Sequence, residues 1–175
     1  MVKAVSQQVL ISASIYTCNL TLVVKPEKRL PVNNNWSNTN QIQIEDINTN
    51  NIVASFSMNM NNLGIGTINL CANNIFLNEG NYNFYITGFS HLRKKFSNIY
   101  SFNIQNITHD LTGTNNFLLA GEISNTFDNK INSLDVSKLI DNMYTNDVKS
   151  DLNRDGSVNF LDINIIVTNF LKHGE

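Results

Sequence analysis

Through the first 117 residues, apolar side chains alternate with polar ones at a period of two. The pattern runs through 5–15 (Val9, Ile11, Ile15), 18–24 (Leu20, Leu22, Val24) and 41–47 (Ile42, Ile44 and, after a step, Ile47). It continues through 51–60 (Val53, then Phe56, Met58, Met60), 64–72 (Ile65, Ile68, Leu70) and 80–91 (Tyr82, Phe84, Ile86), with further strands expected over 94–104 and 110–119. Successive side chains of a strand point to opposite faces, so each run offers one apolar face to a core. Asn, Gly and Ser punctuate the runs at roughly 8–12-residue intervals. Pro26 and Pro31 bracket one of the turns. Short strands so spaced predict an antiparallel β-sandwich of roughly seven to nine strands over residues 1–117, Ig-like or jelly roll in topology.

Over 118–175 the period changes. Asp128, Ile131, Asn132, Leu134 and Asp135 recur 27 residues later as Asp155, Val158, Asn159, Leu161 and Asp162. After each final aspartate the apolar residues fall at the same offsets: Val136, Leu139, Ile140, Met143 and Tyr144, then Ile163, Ile166, Val167, Phe170 and Leu171. That spacing marks one face of a helix. Each repeat therefore predicts a polar loop running into a short amphipathic helix. Helices this short are marginal alone, so the two apolar faces are expected to pack on each other.

Composition narrows the function classes. Charged residues make up 15% of the chain and asparagine supplies 32 positions. Asn suits turns and solvent faces better than element interiors. The net charge is −2, and no basic cluster exceeds Arg93-Lys94-Lys95. A nucleic-acid binder needs a basic face, so that class is excluded. The acid is uneven: residues 1–117 carry seven Lys/Arg and five Asp/Glu, whereas 118–175 carry five and nine. No apolar run approaches the roughly 20 residues that span a bilayer. The first eight residues lack the apolar stretch of an intact signal peptide and are compatible with a mature form given a start Met.

The acidic end has a specific pattern. Residues 151–162 form a twelve-residue loop with oxygen-bearing side chains at positions 1, 3, 5, 9 and 12: Asp151, Asn153, Asp155, Asn159 and Asp162. Calcium takes six to eight hard oxygens at about 2.4 Å in flexible geometry. Alternate positions of one loop can point inward around such an ion. Gly156 permits the sharp turn, and Ser157 at position 7 would supply its backbone carbonyl. Val158 at position 8 is expected to face the partner loop through a strand-like contact. Asp162 closes the site and opens the following helix.

Asp at position 12, a helix after but not before the loop, and the tandem duplication together resemble type I dockerin modules. The stretch 118–123 (LLAGEI) followed by 128–135 (DNKINSLD) resembles that family's first repeat. The resemblance covers about 120–175 and implies two calcium loops and docking onto a cohesin. The first loop departs from the pattern. Counting back twelve from Asp135 puts Ser124 at position 1 and Thr126 at position 3. A two-residue insertion puts Glu122 at position 1 and Ser124 at position 3, followed by Asp128, Lys130 (the counterpart of Ser157), Asn132 and Asp135. In either register Asn129 replaces the turn glycine. The resemblance implies one firm calcium site and one that is weak, distorted or empty. It also gives positions 10 and 11, Ser133-Leu134 and Phe160-Leu161, as partner contacts, although Leu134 and Leu161 are equally placed to be core. Residues 80–96 resemble Ig-like sandwiches that precede dockerins in secreted bacterial proteins.

Enzyme chemistry finds no foothold. His91, His109 and His173 are isolated and read as surface or satisfied residues, and no nucleophile-elbow motif is present. Cys18 and Cys71, the two cysteines, suit one disulfide in an oxidising compartment or two buried thiols, not a zinc site. Trp36 reads as a core or loop anchor before a sugar platform. The expected protein is a non-catalytic extracellular assembly protein of a β-sandwich (1–117) and a dockerin-like module (118–175). Its partner is a cohesin-like domain or further copies of itself, in a homo-oligomer or filament. The free N-terminal strand over 5–15 is a candidate for donation to a neighbouring sandwich, and the C-terminal module could instead cap its own sandwich. The alternative function is a carbohydrate-binding sandwich tethered through its dockerin, with polysaccharide as ligand.

Overall fold

A computed structural model describes residues 18–29, 35–75, 77, 80–102, 106–113 and 116–175, with backbone alone over 97–102. The expected strand over 5–15 lies outside the described residues, as do Pro31 and its turn. Among the described residues, seven strands and two helices follow in order: β1 Asn19–Val23, β2 Asn38–Asp46, β3 Asn51–Met60, β4 Ile65–Asn69, β5 Gly80–Thr87, β6 Lys94–Phe102, β7 Ile107–Asp110, α1 Ser133–Asp141 and α2 Phe160–Thr168. A short 3-10 turn, Cys71–Asn73, follows β4.

The strands form two sheets, β4-β1-β7 and β3-β2-β5-β6. Their facing sides enclose an apolar core led by Leu20, Leu22, Ile42, Ile44, Met58, Phe84, Ile86 and Phe96. The period-two pattern thus does what it predicts. Two details depart from it. The β1–β7 pairing is parallel, so the sandwich is not wholly antiparallel. The last strand spans 107–110 rather than 110–119, because Asp110 turns the chain: its carboxylate accepts the backbone N–H and hydroxyl of Thr112 at 2.9 and 2.6 Å. The chain re-enters the fold at Leu118, whose backbone bonds to Lys25 and Glu27.

Val53 is 45% exposed rather than core. The β2–β3 register passes from Ile44↔Ala54 to Glu45↔Ile52, leaving Val53 as the extra residue of a bulge. A bulge reverses which face a position occupies. Ala54 is the buried residue instead.

A second buried cluster gathers Leu92, Ala120, Ile123, Ile131, Leu139, Leu152, Val158, Ile165 and Ile166. Leu118 belongs to the first cluster and Ala120 to the second. The helices do meet here, but the expected face is rotated. Ile140, Tyr144, Val167, Phe170 and Leu171 are exposed, and Ile165 takes a buried place. Each helix ends at a capping asparagine, Asn142 or Asn169. Tyr144 and Leu171 then take left-handed backbone, with φ of 63° and 65°, so they never join the helical stripe.

Candidate functional site

The C-terminal unit is built twice from the same local chemistry. Asn132 and Asn159 cap the helices, each side chain accepting the N–H of Leu134 or Leu161 at 2.8 Å. Asp135 and Asp162, both fully buried, accept the N–H groups of those asparagines and complete a capping box. The other carboxylate oxygen reaches back across the loop. Asp135 Oδ1 accepts from Ile123 and Ser124, and Asp162 Oδ1 from Leu152 and Asn153.

Caps and helices repeat at 27 residues, but Ile123/Leu152 and Ser124/Asn153 stand 29 apart. The first loop therefore carries two extra residues. Glu122 stands opposite Asp151 and Ser124 opposite Asn153, the second of the two registers considered above. At the turn, Asn129 adopts a φ of 59° where Gly156 adopts 101°, so asparagine reproduces the left-handed corner. The position-8 residues do not face each other. Val158 exchanges backbone hydrogen bonds with Tyr144 and Thr145, and Ile131 with Leu171 and Lys172. Each loop is stitched to the end of the other repeat's helix, because those helices stop short.

In the second loop, Asp151, Asn153, Asp155, Ser157 and Asn159 converge. Asp151 accepts the N–H of Asp155 and Gly156 at 3.2 and 3.0 Å. Asp155 accepts the side-chain amides of Asn153 and Asn159 at 2.9 and 3.2 Å and the N–H of Ser157 at 3.1 Å. The Asn159 amide also reaches the Ser157 carbonyl at 3.1 Å. These donor types fit a hard cation. A half-turn of the Asn153 side chain exchanges its amide N–H for a carbonyl oxygen at the same point. Asp162 differs from the others, since its two oxygens hold three backbone N–H groups and shape the loop. Among the described residues no three His, Cys, Asp or Glu side chains gather into a metal centre of their own. A cation here would draw on amide, hydroxyl and carbonyl oxygens as much as on carboxylates.

The two loops differ electrostatically. Burial pushes the Asp155 carboxyl up, but hydrogen bonds from Asn153, Asn159 and Ser157 outweigh it and hold the group below its usual range. Burial raises Asp162, with the Asp151 charge adding to it, against three backbone N–H bonds. In the first loop, burial and then the Asp135 charge push Glu122 up to about 7. Glu122 accepts the Lys130 N–H at 3.0 Å and the Ser124 hydroxyl at 3.2 Å, while Asn132 donates to Asp128 at 2.9 Å. The Lys149 ammonium bonds the Ser124 carbonyl at 2.7 Å, so this loop already has a cation at its flank.

Of the residues named as partner contacts, Ser133, Leu134, Phe160 and Leu161 are all exposed. The two leucines are surface, not core. Their neighbours in the pseudo-repeat extend the pattern: Ile140 and Val167 are exposed at equivalent positions, and so are Tyr144 and Leu171. Trp36 donates its indole N–H to the Arg29 carbonyl at 2.7 Å, which makes it a loop anchor.

Sequence reasoning missed the seam between sandwich and C-terminal unit. Glu27, buried after β1, accepts the N–H of Ala120 at 3.1 Å and the side-chain amide of fully buried Asn169. The same amide donates to the Ala120 carbonyl at 2.9 Å. At the other end, Asn129 accepts the Arg93 N–H at 2.8 Å, and Glu175 bonds Arg93 and Lys95. The two parts are thus joined through buried polar groups, not by a flexible tether. No local motif signals these contacts, because Glu27 and Asn169 lie 142 residues apart.

His91 also departs from expectation. It is 0% exposed, and neither ring nitrogen has a hydrogen-bond partner among the described residues. Burial, then the charges of Arg29 and Arg154, hold it well below its ordinary 6.5. The unfolded chain takes up this proton near 6.5 and the folded one refuses it. Stability from His91 is therefore complete above that pH and lost as pH falls, at up to about 1.4 kcal/mol per unit. Glu122, raised in the fold, acts in the opposite sense between about 7 and its ordinary value. The readout is thus the difference between native protein and His91→Gln in calcium-free urea melts at pH 7.5 and 5.5. The native protein should lose more stability, and parallel profiles would contradict this assignment.

No protein-family model matches the chain, and no curated protein matches it. Solved structures do. Two crystal structures of a type II cohesin–X–dockerin complex from Acetivibrio cellulolyticus, one a C-terminal and one an N-terminal interface mutant, superpose with TM-scores of 0.61 and 0.58 at 19% identity. Each match covers 89% of this chain and 96% of the other. Among the described residues no helix is long and apolar enough to cross a membrane. The chain shares its fold with a chain of that cohesin–X–dockerin complex.

Proposed function

We propose that this is a non-catalytic, extracellular docking protein whose residues 118–175 act as a dockerin-like module. The observation that carries this is the recurrence of exposed apolar side chains at pseudo-equivalent positions: Leu134/Leu161, Ile140/Val167 and Tyr144/Leu171. Exposed apolar residues that recur on both halves mark an interaction surface. Two further facts support the reading. Residues 1–117 are two thirds of the chain, so a match over 89% of it takes in most of the C-terminal unit. The Cys18–Cys71 disulfide suits an oxidising, extracellular compartment. The partner proposed is a cohesin-like domain or a second copy of this chain.

Calcium is proposed to be held by Asp151, Asn153, Asp155, Ser157 and Asn159, with Asp162 fixing the loop. Neutralising the loop's carboxylates is the chemistry the ion would supply. The first loop, with Lys149 at its flank and two extra residues, is proposed to bind weakly or not at all. Native protein should gain about 2.7 kcal/mol when free calcium reaches a hundredfold over its dissociation constant. That corresponds to about 5–10 °C in melting temperature for a chain of this size. Asp151→Ala with Asp155→Ala should abolish the gain. Equal melting in calcium and chelator would remove calcium from the proposal.

Docking is tested apart from calcium. Sedimentation of the native chain, alone and mixed with a cohesin domain, should show calcium-dependent complexes, and Leu134→Asp with Leu161→Asp should abolish them without changing the melt. A monomer under all conditions that is retained on polysaccharide would replace docking with the carbohydrate reading.

A further inference from the structure

The seam holds two arginines that no described carboxylate meets in an ion pair. Arg29 is 2% exposed. Its Nε donates to the Leu152 carbonyl at 2.9 Å, but Nη1 and Nη2 have no partner among the described residues. Arg154, in the second loop, buries an equally unpartnered Nε. Fully buried His91 leaves both ring nitrogens unpaired, and its neighbour Ser90 leaves its hydroxyl unpaired. These groups share one electrostatic field. Burial, then Arg154, lower Arg29 to about 9, with Asp151 opposing, and His91 feels both arginines.

Asp151, the carboxylate in that field, already accepts two backbone N–H groups, and neither arginine forms an ion pair with it. Among the described residues the one salt bridge is Lys95–Glu45, on the sandwich. Withdrawing a guanidinium from water costs several kcal/mol, and Asp151 offsets it only through space. Ordered water can satisfy the hydrogen bonds but cannot supply the charge. A guanidinium edge with two free N–H groups matches two oxygens of one anion.

We propose that the seam binds a small oxyanion of the carboxylate or phosphate type, gripped by Arg29 Nη1 and Nη2 and Arg154 Nε, with Ser90 and His91 as further donors. Arg154 gives the route in. It lines an open groove of about 420 Å³ together with Ser37, Asn38, Thr39, Phe89 and Val148. Gly88 packs its backbone against the His91 ring, where a Cβ would come within 2.7 Å of Nδ1, so the imidazole is held in place beside that groove. The anion would seat between sandwich and second loop and fasten one to the other.

The test titrates the full chain with sodium phosphate, sulfate or acetate in chelator, at ionic strength held constant with sodium chloride, by calorimetry and thermal melting. One of the three should bind saturably at one per chain and raise the melting temperature; acetate alone would assign a carboxylate ligand, phosphate or sulfate a tetrahedral one. Arg154→Gln, which keeps a polar side chain at a half-buried position, should weaken that binding at least tenfold while the calcium-free, anion-free melt stays cooperative, and Lys172→Gln should leave it unchanged. If no oxyanion binds saturably, or if Arg154→Gln binds as tightly as the native chain, the proposal is overturned. Because calcium is absent throughout, its failure is separate from any failure of the docking reading.

Discussion

Glu27→Ala should lower the unfolding free energy by about 2–4 kcal/mol, the loss expected from orphaning a buried donor at roughly 1–3 kcal/mol and removing a second hydrogen bond at about 1 kcal/mol. Glu27 is the shared acceptor for the Ala120 N–H and the Asn169 amide. Truncation orphans the buried Ala120 N–H and leaves the Asn169 amide with only the Ala120 carbonyl, and an orphaned donor costs more than the hydrogen bond itself contributed. Glu27→Gln keeps a carbonyl oxygen in the same place and should cost about 1–2 kcal/mol. Equilibrium urea unfolding of the three proteins checks the ranking, and equal losses for the two variants would show that packing, not hydrogen bonding, holds the seam. The result bears on docking, because the seam decides how firmly the exposed apolar surface is oriented on its sandwich. Freed of Glu27, the C-terminal unit should exchange its amide hydrogens faster than the sandwich does, since local opening reports local stability.

Legibility from sequence followed the range of the interaction. Leu20, Leu22, Phe84 and Ile86 were readable because side-chain alternation is a property of each strand alone. Asn132 and Asn159 were readable as loop positions, and their capping follows from chemistry within three residues. The bulge at Val53 was not readable, since it depends on where β2 and β3 pair. The rotated helix face was not readable either: the apolar offsets ran on past Asn142 and Asn169, where the helices stop. The register of the first loop stood open between two choices until Asp135 was seen to reach Ile123 and Ser124. The seam was invisible for a stronger reason. Its partners lie 93, 123 and 142 residues apart, at Glu27–Ala120, Arg29–Leu152 and Glu27–Asn169, and no single-sequence periodicity reaches so far. His91 shows the same limit, because its isolation in sequence says nothing of its burial within the field of two arginines.

Reducing the Cys18–Cys71 bond, or replacing both residues with Ala, should lower stability by about 4 kcal/mol, the chain-entropy expectation for a closed loop of this length. The bond spans 53 residues and joins the start of β1 to the turn after β4, with Cα atoms 5.5 Å apart. The folded state brings these ends together without help, since Asn19 pairs with Asn69 in the β1–β4 register and the Leu70 N–H bonds the Cys18 carbonyl. What the crosslink changes is therefore the unfolded chain. Freed of the bond, that chain expands and exposes more surface, so the denaturant slope should rise while the midpoint falls. The melting temperature should drop by roughly 10 °C, at 2–4 °C per kcal/mol for a chain of this size. Paired urea melts with and without dithiothreitol read both quantities. An unchanged slope with less than 1 kcal/mol of loss would mean that the pairing of β1 with β4 already constrains the unfolded chain. The larger loss would mean that in a reducing compartment the sandwich bearing the docking surface gives up stability that an oxidising one preserves.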